Sequence, residues 1–200
     1  MMPGTDNKHN VAFTITNEEI SNLPLYSFNG PIAVINDKKL LPTVFEEINT
    51  STVVGFDTET RPSFKKGQVY KVALMQIALP HKVFIIRLQH TGITPDIIGF
   101  LENDTILKTG VGIRDDIQAV KKMKPFRAAG FIDLVPLAKE AGLQVESVKK
   151  LTGLLLGFRI SKSSQTSNWE AEKLTKKQIE YAATDAWVCL QLYGKLMGES

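Results

Sequence analysis

The stretch VVGFDTET at residues 53–60 decides the fold, because it carries an apolar strand directly into two carboxylates. Asp57 and Glu59 stand two positions apart, and alternate side chains of a β-strand point to the same face. Two like charges at that spacing raise each other's pKa unless a cation or a hydrogen-bond donor neutralises them. The pair therefore indicates either a site for a divalent metal ion or an exposed, polar strand end.

Strand-like and helix-like patterns alternate along the chain from Ile32 onward. Strands are predicted over residues 52–57, 72–79, 83–88 and 106–111. A three-residue link at 80–82 favours a hairpin between the second and third of these strands. Helices are predicted over residues 96–102, 114–122, 134–141, 145–154 and 176–197, and only helices are expected after Phe131. The predicted fold class is α/β, with a mixed sheet flanked by helices.

Composition restricts the class of protein. A chain of 200 residues with 43% hydrophobic content suits one domain, predicted over residues 29–200, and the polar residues 1–28 are predicted to form an arm. The single cysteine, Cys189, excludes a disulfide framework and zinc-ligand spacing. No apolar run reaches the ~18 residues of a membrane span, and the N-terminus lacks a secretory pattern. An intracellular protein without membrane association is expected, cytoplasmic if its source is bacterial.

A second polar segment runs from a predicted strand through Gly110 and Gly112 into Asp115 and Asp116. The glycines resemble part of a dinucleotide-binding fingerprint, but Asp115 stands where that pattern needs its third glycine. The glycines more readily permit a close backbone approach. One of the two acids is expected to cap the following helix, and the other is a candidate metal ligand.

A third segment, YAATD at residues 181–185, lies inside the long C-terminal helix. Spacing of four residues puts Tyr181 and Asp185 on one helix face, separated by small residues that permit close packing. An acid within an apolar helix usually needs a partner. A surface Tyr–Asp pair is the alternative.

Taken together, FDTET, GVGIRDD and YAATDA resemble the motifs of the DEDD superfamily of 3′-5′ exonucleases, in the same order and at similar separations. KVALMQIAL and LTGLLLGFRISKSSQTSNWEAEKLT are similar to stretches of the Werner-syndrome-helicase exonuclease domain and of ribonuclease D. The resemblance covers about residues 32–196. It implies the tyrosine subclass, because Glu180 occupies the position five before Asp185 and Tyr181 follows it.

The resemblance implies a ribonuclease-H-like fold and a site where Asp57, Glu59, Asp116 and Asp185 hold two divalent cations, Mg²⁺ or Mn²⁺. Asp116 is chosen over Asp115 because the family pattern places its acid three residues after the isoleucine. Tyr181 is expected to orient the nucleophile. The residues expected to bind substrate are Thr58, Met75, Gln76, Lys162 and Trp169, although Met75 and Trp169 also suit a core position.

The activity that the resemblance implies is metal-dependent hydrolysis of terminal phosphodiester bonds, which releases nucleoside 5′-monophosphates from the 3′ end of nucleic acid. DNA is preferred modestly over RNA, because no helical substrate-binding domain is recognised after the nuclease motifs. Three alternatives stand beside it: trimming of RNA 3′ ends as in ribonuclease D, a catalytically silent nucleic-acid-binding module, and a structural calcium site.

Overall fold

The computed structural model describes residues 14–65 and 67–198. Residues 1–13 of the predicted arm lie outside the described residues, as do Lys66 and the last two residues. Six strands form one sheet in the described ranges. They are β1 (Ile32–Ile35), β2 (Val53–Thr60), β3 (Val72–Ala78), β4 (Val83–Arg87), β5 (Leu107–Gly110) and β6 (Phe131–Asp133). Their order across the sheet is β1-β4-β3-β2-β5-β6.

The sheet is mixed, as the sequence predicts. β3 pairs antiparallel with both β2 and β4, whereas β1 with β4, β2 with β5 and β5 with β6 are parallel pairs. The predicted hairpin across residues 80–82 is present, with Ala78 opposite Val83. The α/β fold class is confirmed.

Helices flank the sheet. They are α1 (Asn17–Asn22), α2 (Leu41–Ile48), α3 (Leu88–Thr91), α4 (Pro95–Glu102), α5 (Ile113–Met123), α6 (Leu134–Glu140), α7 (Val148–Leu156) and α8 (Lys176–Leu196). Predicted helix boundaries lie within three residues of α4 to α8. Thr175 and Gln178 form a capping box at the start of α8, as expected. Across residues 14–65 and 67–198, every helix falls short of the length or hydrophobicity that a membrane span requires.

Two strand predictions needed correction. The expectation of helices alone after Phe131 was wrong, because β6 occupies residues 131–133. Three residues are too few to show an alternating pattern, and β6 forms by parallel pairing with β5. In addition, β2 continues to Thr60 instead of ending at Asp57, because β3 pairs with its polar half.

The two faces of the sheet are covered by different helices. Phe56 and Met75 point to one face and pack with α2, α4 and α5 in the larger hydrophobic cluster. Leu74 and Ala78 point to the other face and pack with α8. The alternation along β2 therefore places Asp57 and Glu59 on the α8 side, and Thr58 on the α5 side.

Residues 14–28 lie beside α7 and α8. Ile20 of α1 is fully buried, and Phe28 is nearly so. The Phe28 N–H donates to Thr184 Oγ1 of α8 at 3.0 Å. Tyr26 N–H donates to the Arg159 carbonyl at 2.9 Å, which fixes this segment beside the chain that follows α7. This segment therefore becomes a wall next to α8.

Gly55 permits the contact on which the position of α8 depends. A Cβ atom at residue 55 would lie 2.0 Å from the carbonyl oxygen of Ala186 and 3.0 Å from its carbonyl carbon. Both atoms belong to helix backbone, which cannot rotate away as a side chain can. Only glycine allows α8 to lie this close to β2.

Gly55→Ala is expected to destabilise the protein by about 2 kcal/mol, because α8 must move away from β2. The matched control is Gly99→Ala in α4, where a Cβ would meet nothing within 4 Å. Alanine is favoured over glycine inside a helix, so the control should be neutral or slightly stabilising. Denaturant unfolding of both variants measures the difference. Equal stability of the two variants would contradict the proposed packing constraint.

Candidate active site

Three carboxylates meet where β2 faces α8. Asp57 and Glu59 come from β2 and Asp185 comes from α8, and one oxygen of each lies within 4.8 Å of the others. All three side chains are half-buried. Asp185 Oδ1 is buried and accepts no hydrogen bond from any described residue. The arrangement brings together hard oxygen ligands that can hold a divalent cation.

Asp116 reaches the same region from the opposite face of the sheet. It lies in the first turn of α5, and the Thr58 hydroxyl donates a short hydrogen bond to its Oδ1. The expectation that one of the two neighbouring acids caps α5 was wrong. The cap is Gly112, which adopts a left-handed conformation with φ of 69°, and no side chain caps this end. Asp116 is thereby directed to Thr58 and Asp115 is exposed.

Mutual repulsion and burial raise the pKa values of the acids on β2. Burial raises the pKa of Asp57 well above its usual range, and the charges of Asp116, Asp185 and Glu59 add to the effect. Burial followed by repulsion from Asp185 and Asp116 raises the pKa of Glu59 to about 9. Without a cation, Glu59 therefore holds a proton near neutral pH.

The acids on the two helices are affected less. Burial raises the pKa of Asp116 to about 6, although the Thr58 hydrogen bond opposes the shift. Burial raises the pKa of Asp185 to about 7, opposed by its interaction with the Tyr181 hydroxyl and by the charge of Lys162. The exposed Lys162 therefore lies close enough to influence the acid cluster.

Tyr181 lies one helical turn before Asp185 and faces the same cluster. Burial is the largest cause of its raised pKa, followed by the charges of Asp185 and Glu59, so the phenol stays protonated. Its ring packs against Trp169, with centroids 5.9 Å apart. A half-buried tyrosine held in this way can present a fixed hydroxyl to a ligand.

Trp169 lies beneath the site instead of at its surface. The side chain is fully buried and packs in the cluster between α8 and the sheet. It offers no surface to a substrate in this conformation, so the core alternative describes it. Its contact with Tyr181 supports that ring from below.

Met75 and Gln76 differ in the face to which they point. Met75 is fully buried in the cluster on the α5 side, away from Asp57, so the core alternative again applies. Gln76 lies directly across from Asp57 in the β2–β3 pair, on the same face. It is fully buried, and neither amide atom has a hydrogen-bond partner among the described residues.

Arg87 is a residue of this region that the sequence patterns did not reveal. It is the last residue of β4, and its exposed fraction is 3%. Its guanidinium donates to the Glu172 carbonyl at 2.8 Å and to the Ala171 carbonyl. These hydrogen bonds fix the chain that precedes α8. Lys162 and Trp169 lie in that part of the chain. A charged residue at the end of the apolar run VFIIR was the available signal.

A cavity of about 280 Å³ opens beside the acids, with Tyr181 and Asp185 in its wall. The segment from Leu25 to Ser27 forms the opposite wall, and Ser161 and Ser163 form a third. Its volume is near the lower end of the range for small-ligand sites. A ligand in this cavity would reach the carboxylate cluster.

Residues 32–199 match the family model described as 3′-5′ exonuclease, and the chain therefore belongs to the 3′-5′ exonuclease family. The family that the three motifs predicted is confirmed. The match includes every residue of the carboxylate cluster and Tyr181.

Two similar proteins carry corresponding descriptions. The chain is 32% identical over 186 residues to the mouse bifunctional 3′-5′ exonuclease/ATP-dependent helicase WRN, covering 88% of this chain and 13% of that protein. It is 31% identical over 201 residues to an Arabidopsis thaliana 3′-5′ exonuclease, covering 90% of this chain and 68% of that protein.

The fold also matches a solved structure. Escherichia coli RNase D, described as an exoribonuclease involved in structured RNA processing, superposes with a TM-score of 0.77 at 22% identity. The match covers 84% of this chain and 44% of that one. The predicted ribonuclease-H-like fold is confirmed.

The raised pKa values predict how stability depends on pH. Carboxyls whose pKa is raised on folding stabilise the protein while protonated, and this contribution is lost as pH rises through their folded-state values. In EDTA, the melting temperature should therefore fall as pH rises from about 4, near the ordinary carboxyl pKa values, to about 9, the contributions of Asp116, Asp185 and Glu59 being lost by about 6, about 7 and about 9. Thermal unfolding across this range measures the effect.

Asp185→Asn removes one of the titrating groups, so its melting temperature should depend less steeply on pH. Asp115→Asn changes an exposed acid and is the matched control. A melting temperature that stays constant or rises with pH in EDTA would contradict the electrostatic description of the cluster.

Proposed function

We propose that this protein is a metal-dependent 3′-5′ exonuclease that hydrolyses the terminal phosphodiester of a nucleic acid and releases nucleoside 5′-monophosphates. One observation carries the proposal: oxygens of Asp57, Glu59 and Asp185 lie within 4.8 Å of one another on two different elements. Three acids brought from two distant segments, β2 and α8, into one half-buried cluster repel each other unless a cation is bound.

The residues fit Mg²⁺ or Mn²⁺. All the candidate ligands are carboxylate oxygens, which such hard cations prefer. The buried, unpartnered Asp185 Oδ1 gives one ligand atom without a competing hydrogen bond. Asp57, Glu59 and Asp185 would hold one ion, and Asp57 with Asp116 would hold a second. When bound, two divalent ions stabilise the charge on the attacking and leaving oxygens of a phosphoryl displacement.

The other residues position the reactants. Tyr181, protonated and packed on Trp169, donates a hydrogen bond that orients the attacking water. Thr58 holds Asp116 through its hydroxyl. Its backbone would lie beside the 3′-terminal nucleotide. Lys162 would contact a phosphate, since it is exposed between Ser161 and Ser163, which line the cavity beside the acids. Gln76 offers its buried amide to the groups around Asp57.

The substrate is nucleic acid, and we propose single-stranded or recessed DNA 3′ ends with a modest preference over RNA. The fold of RNase D, whose name records action on RNA, favours RNA 3′-end trimming as the second candidate. The buried free thiol of Cys189 suits a reducing, intracellular setting. A silent binding module or a structural calcium site would not require Tyr181 to lie beside a cluster of three carboxylates.

Asp57→Asn is expected to abolish exonuclease activity, by at least about a thousandfold, because it removes the central carboxylate of the cluster. The assay follows a 5′-labelled single strand with Mg²⁺ or Mn²⁺ and looks for a ladder of products shortened from the 3′ end. Asp115→Asn, the exposed neighbour of Asp116, is the control and should retain wild-type activity.

Stability separates the catalytic account from a structural one. Asparagine relieves charge repulsion, so Asp57→Asn should keep or raise the melting temperature. A large loss of stability, together with a wild-type protein that binds the strand without shortening it, would favour a structural cation site instead.

Tyr181→Phe tests the orienting role separately. It keeps the ring that packs on Trp169 but removes the hydroxyl, so kcat should fall by about 10²-fold while KM and the dependence on metal concentration stay nearly unchanged. Steady-state kinetics over a range of Mn²⁺ concentrations give these parameters. An unchanged kcat would exclude the hydroxyl from the reaction.

A further inference from the structure

A second groove adjoins the cavity beside the acids. This groove, of about 450 Å³, is lined by Ser21 of α1, Lys149 of α7 and the chain from Arg159 to Lys162. Leu25 and Ser161 line both the groove and the 280 Å³ cavity that contains Tyr181 and Asp185. The two depressions are therefore neighbours, and together they lead from α7 to the carboxylate cluster. We call this continuous surface the basic track.

Three cations line the groove, namely Lys149, Arg159 and Lys162, and Lys177 with Glu180 lines the adjoining cavity. Among the described residues, the hydrogen-bond partner of Lys149 Nζ is a neutral amide oxygen, Asn17 Oδ1, at 3.5 Å. Arg159 Nε donates to the backbone carbonyl of Leu23 at 3.0 Å. In the described part of the chain, none of the three belongs to an ion pair within 4.0 Å. Their positive charge is therefore available to a polyanion.

Exposed apolar side chains lie where the groove meets the cavity, since Leu25 lines both depressions and Tyr26 lines the cavity. Leu25 is 56% exposed and Tyr26 is 38% exposed, although both lie in the middle of a segment fixed by backbone hydrogen bonds to Arg159. The Tyr26 ring stacks on Trp187 and lies against Phe158, at centroid distances of 5.6 Å and 4.9 Å. An exposed aromatic face held rigidly from behind is a platform on which a base can stack.

We infer that the basic track binds the single-stranded part of a nucleic acid, several nucleotides upstream of the 3′ end that lies at the carboxylate cluster. Phosphates would contact Lys149, Arg159 and Lys162, and a base would lie against Leu25 and Tyr26. This combination of cations with an aromatic platform suits any base sequence. The inference rests on the proposed function for the position of the 3′ end.

A double helix suits the basic track poorly. The track is made of two depressions that each accommodate a few nucleotides at most, whereas the major groove of a duplex is by itself about 12 Å wide. Bases can reach Tyr26 only where they are unpaired. The track therefore favours a single strand of DNA or RNA over a blunt duplex.

Lys149→Gln tests the inference, because Lys149 lies at the far end of the basic track and outside the cavity that contains the acids. Binding of a labelled single strand of about 12 nucleotides should weaken about three- to tenfold, and the slope of log affinity against log salt should fall by about 0.7, as expected for one lost phosphate contact. Fluorescence anisotropy in EDTA measures both without metal-dependent cleavage.

Two further variants make the test specific. Lys122→Gln removes a charge from the exposed end of α5, on the opposite face of the sheet, and should leave affinity and salt slope unchanged. Leu25→Glu places a negative charge where the two depressions meet and should weaken binding more than Lys149→Gln. Its side chain is exposed, so the backbone bridge to Arg159 is retained.

Turnover of a dinucleotide, which is too short to reach Lys149, completes the design. Unchanged dinucleotide turnover with a raised KM for the long strand supports the track. Equal affinity of Lys149→Gln and Lys122→Gln for the long strand would overturn the inference. So would an equal loss of turnover by Lys149→Gln on the dinucleotide and on the long strand. Weakened binding by a protein that cleaves neither substrate would support the track while refuting the proposed exonuclease activity.

Discussion

The contact between the α8 backbone and Gly55 of β2 is the constraint on which the rest of the site depends. No side chain fits between the strand and the Ala186 carbonyl, so the helix lies directly on the sheet. Asp185, one residue before Ala186, is thereby held beside Asp57 and Glu59. Any larger separation would relieve the repulsion among the carboxylates but would also remove their ability to share a ligand. Packing thus imposes an electrostatic arrangement that the charges alone would not adopt.

The two faces of β2 divide the site between them. Asp57 and Glu59 face α8, whereas Thr58, between them, faces α5 and binds Asp116. The same strand therefore recruits acids from helices on both sides of the sheet. Other residues hold this centre in place. Trp169 packs below Tyr181, and Arg87 fixes the chain before α8 by donating to backbone carbonyls. Such rigid supports reduce the reorganisation needed when a substrate binds.

Much of this arrangement could be predicted from local patterns. The period of two along β2 puts Asp57 and Glu59 on one face, the period of the helix does the same for Tyr181 and Asp185, and the capping box marks the start of α8. Local patterns could not place Met75 and Trp169, since a large apolar side chain suits either a core or a substrate. β6 was not predicted, because three residues are too few to show the period of two that is typical of a strand.

Contacts between residues far apart in the sequence could not be predicted from local patterns. Nothing local connects Leu25 with Arg159, yet their backbone bridge creates a wall of the cleft. The capping role expected of an acid before α5 also failed, because a left-handed glycine ends the preceding loop and leaves Asp116 free to bind Thr58.

Anomalous diffraction from crystals soaked in Mn²⁺ tests most directly whether the carboxylates bind metal. A peak among Asp57, Glu59 and Asp185 is predicted, and Mn²⁺ bound only elsewhere, with these carboxylates free of metal, would contradict the account.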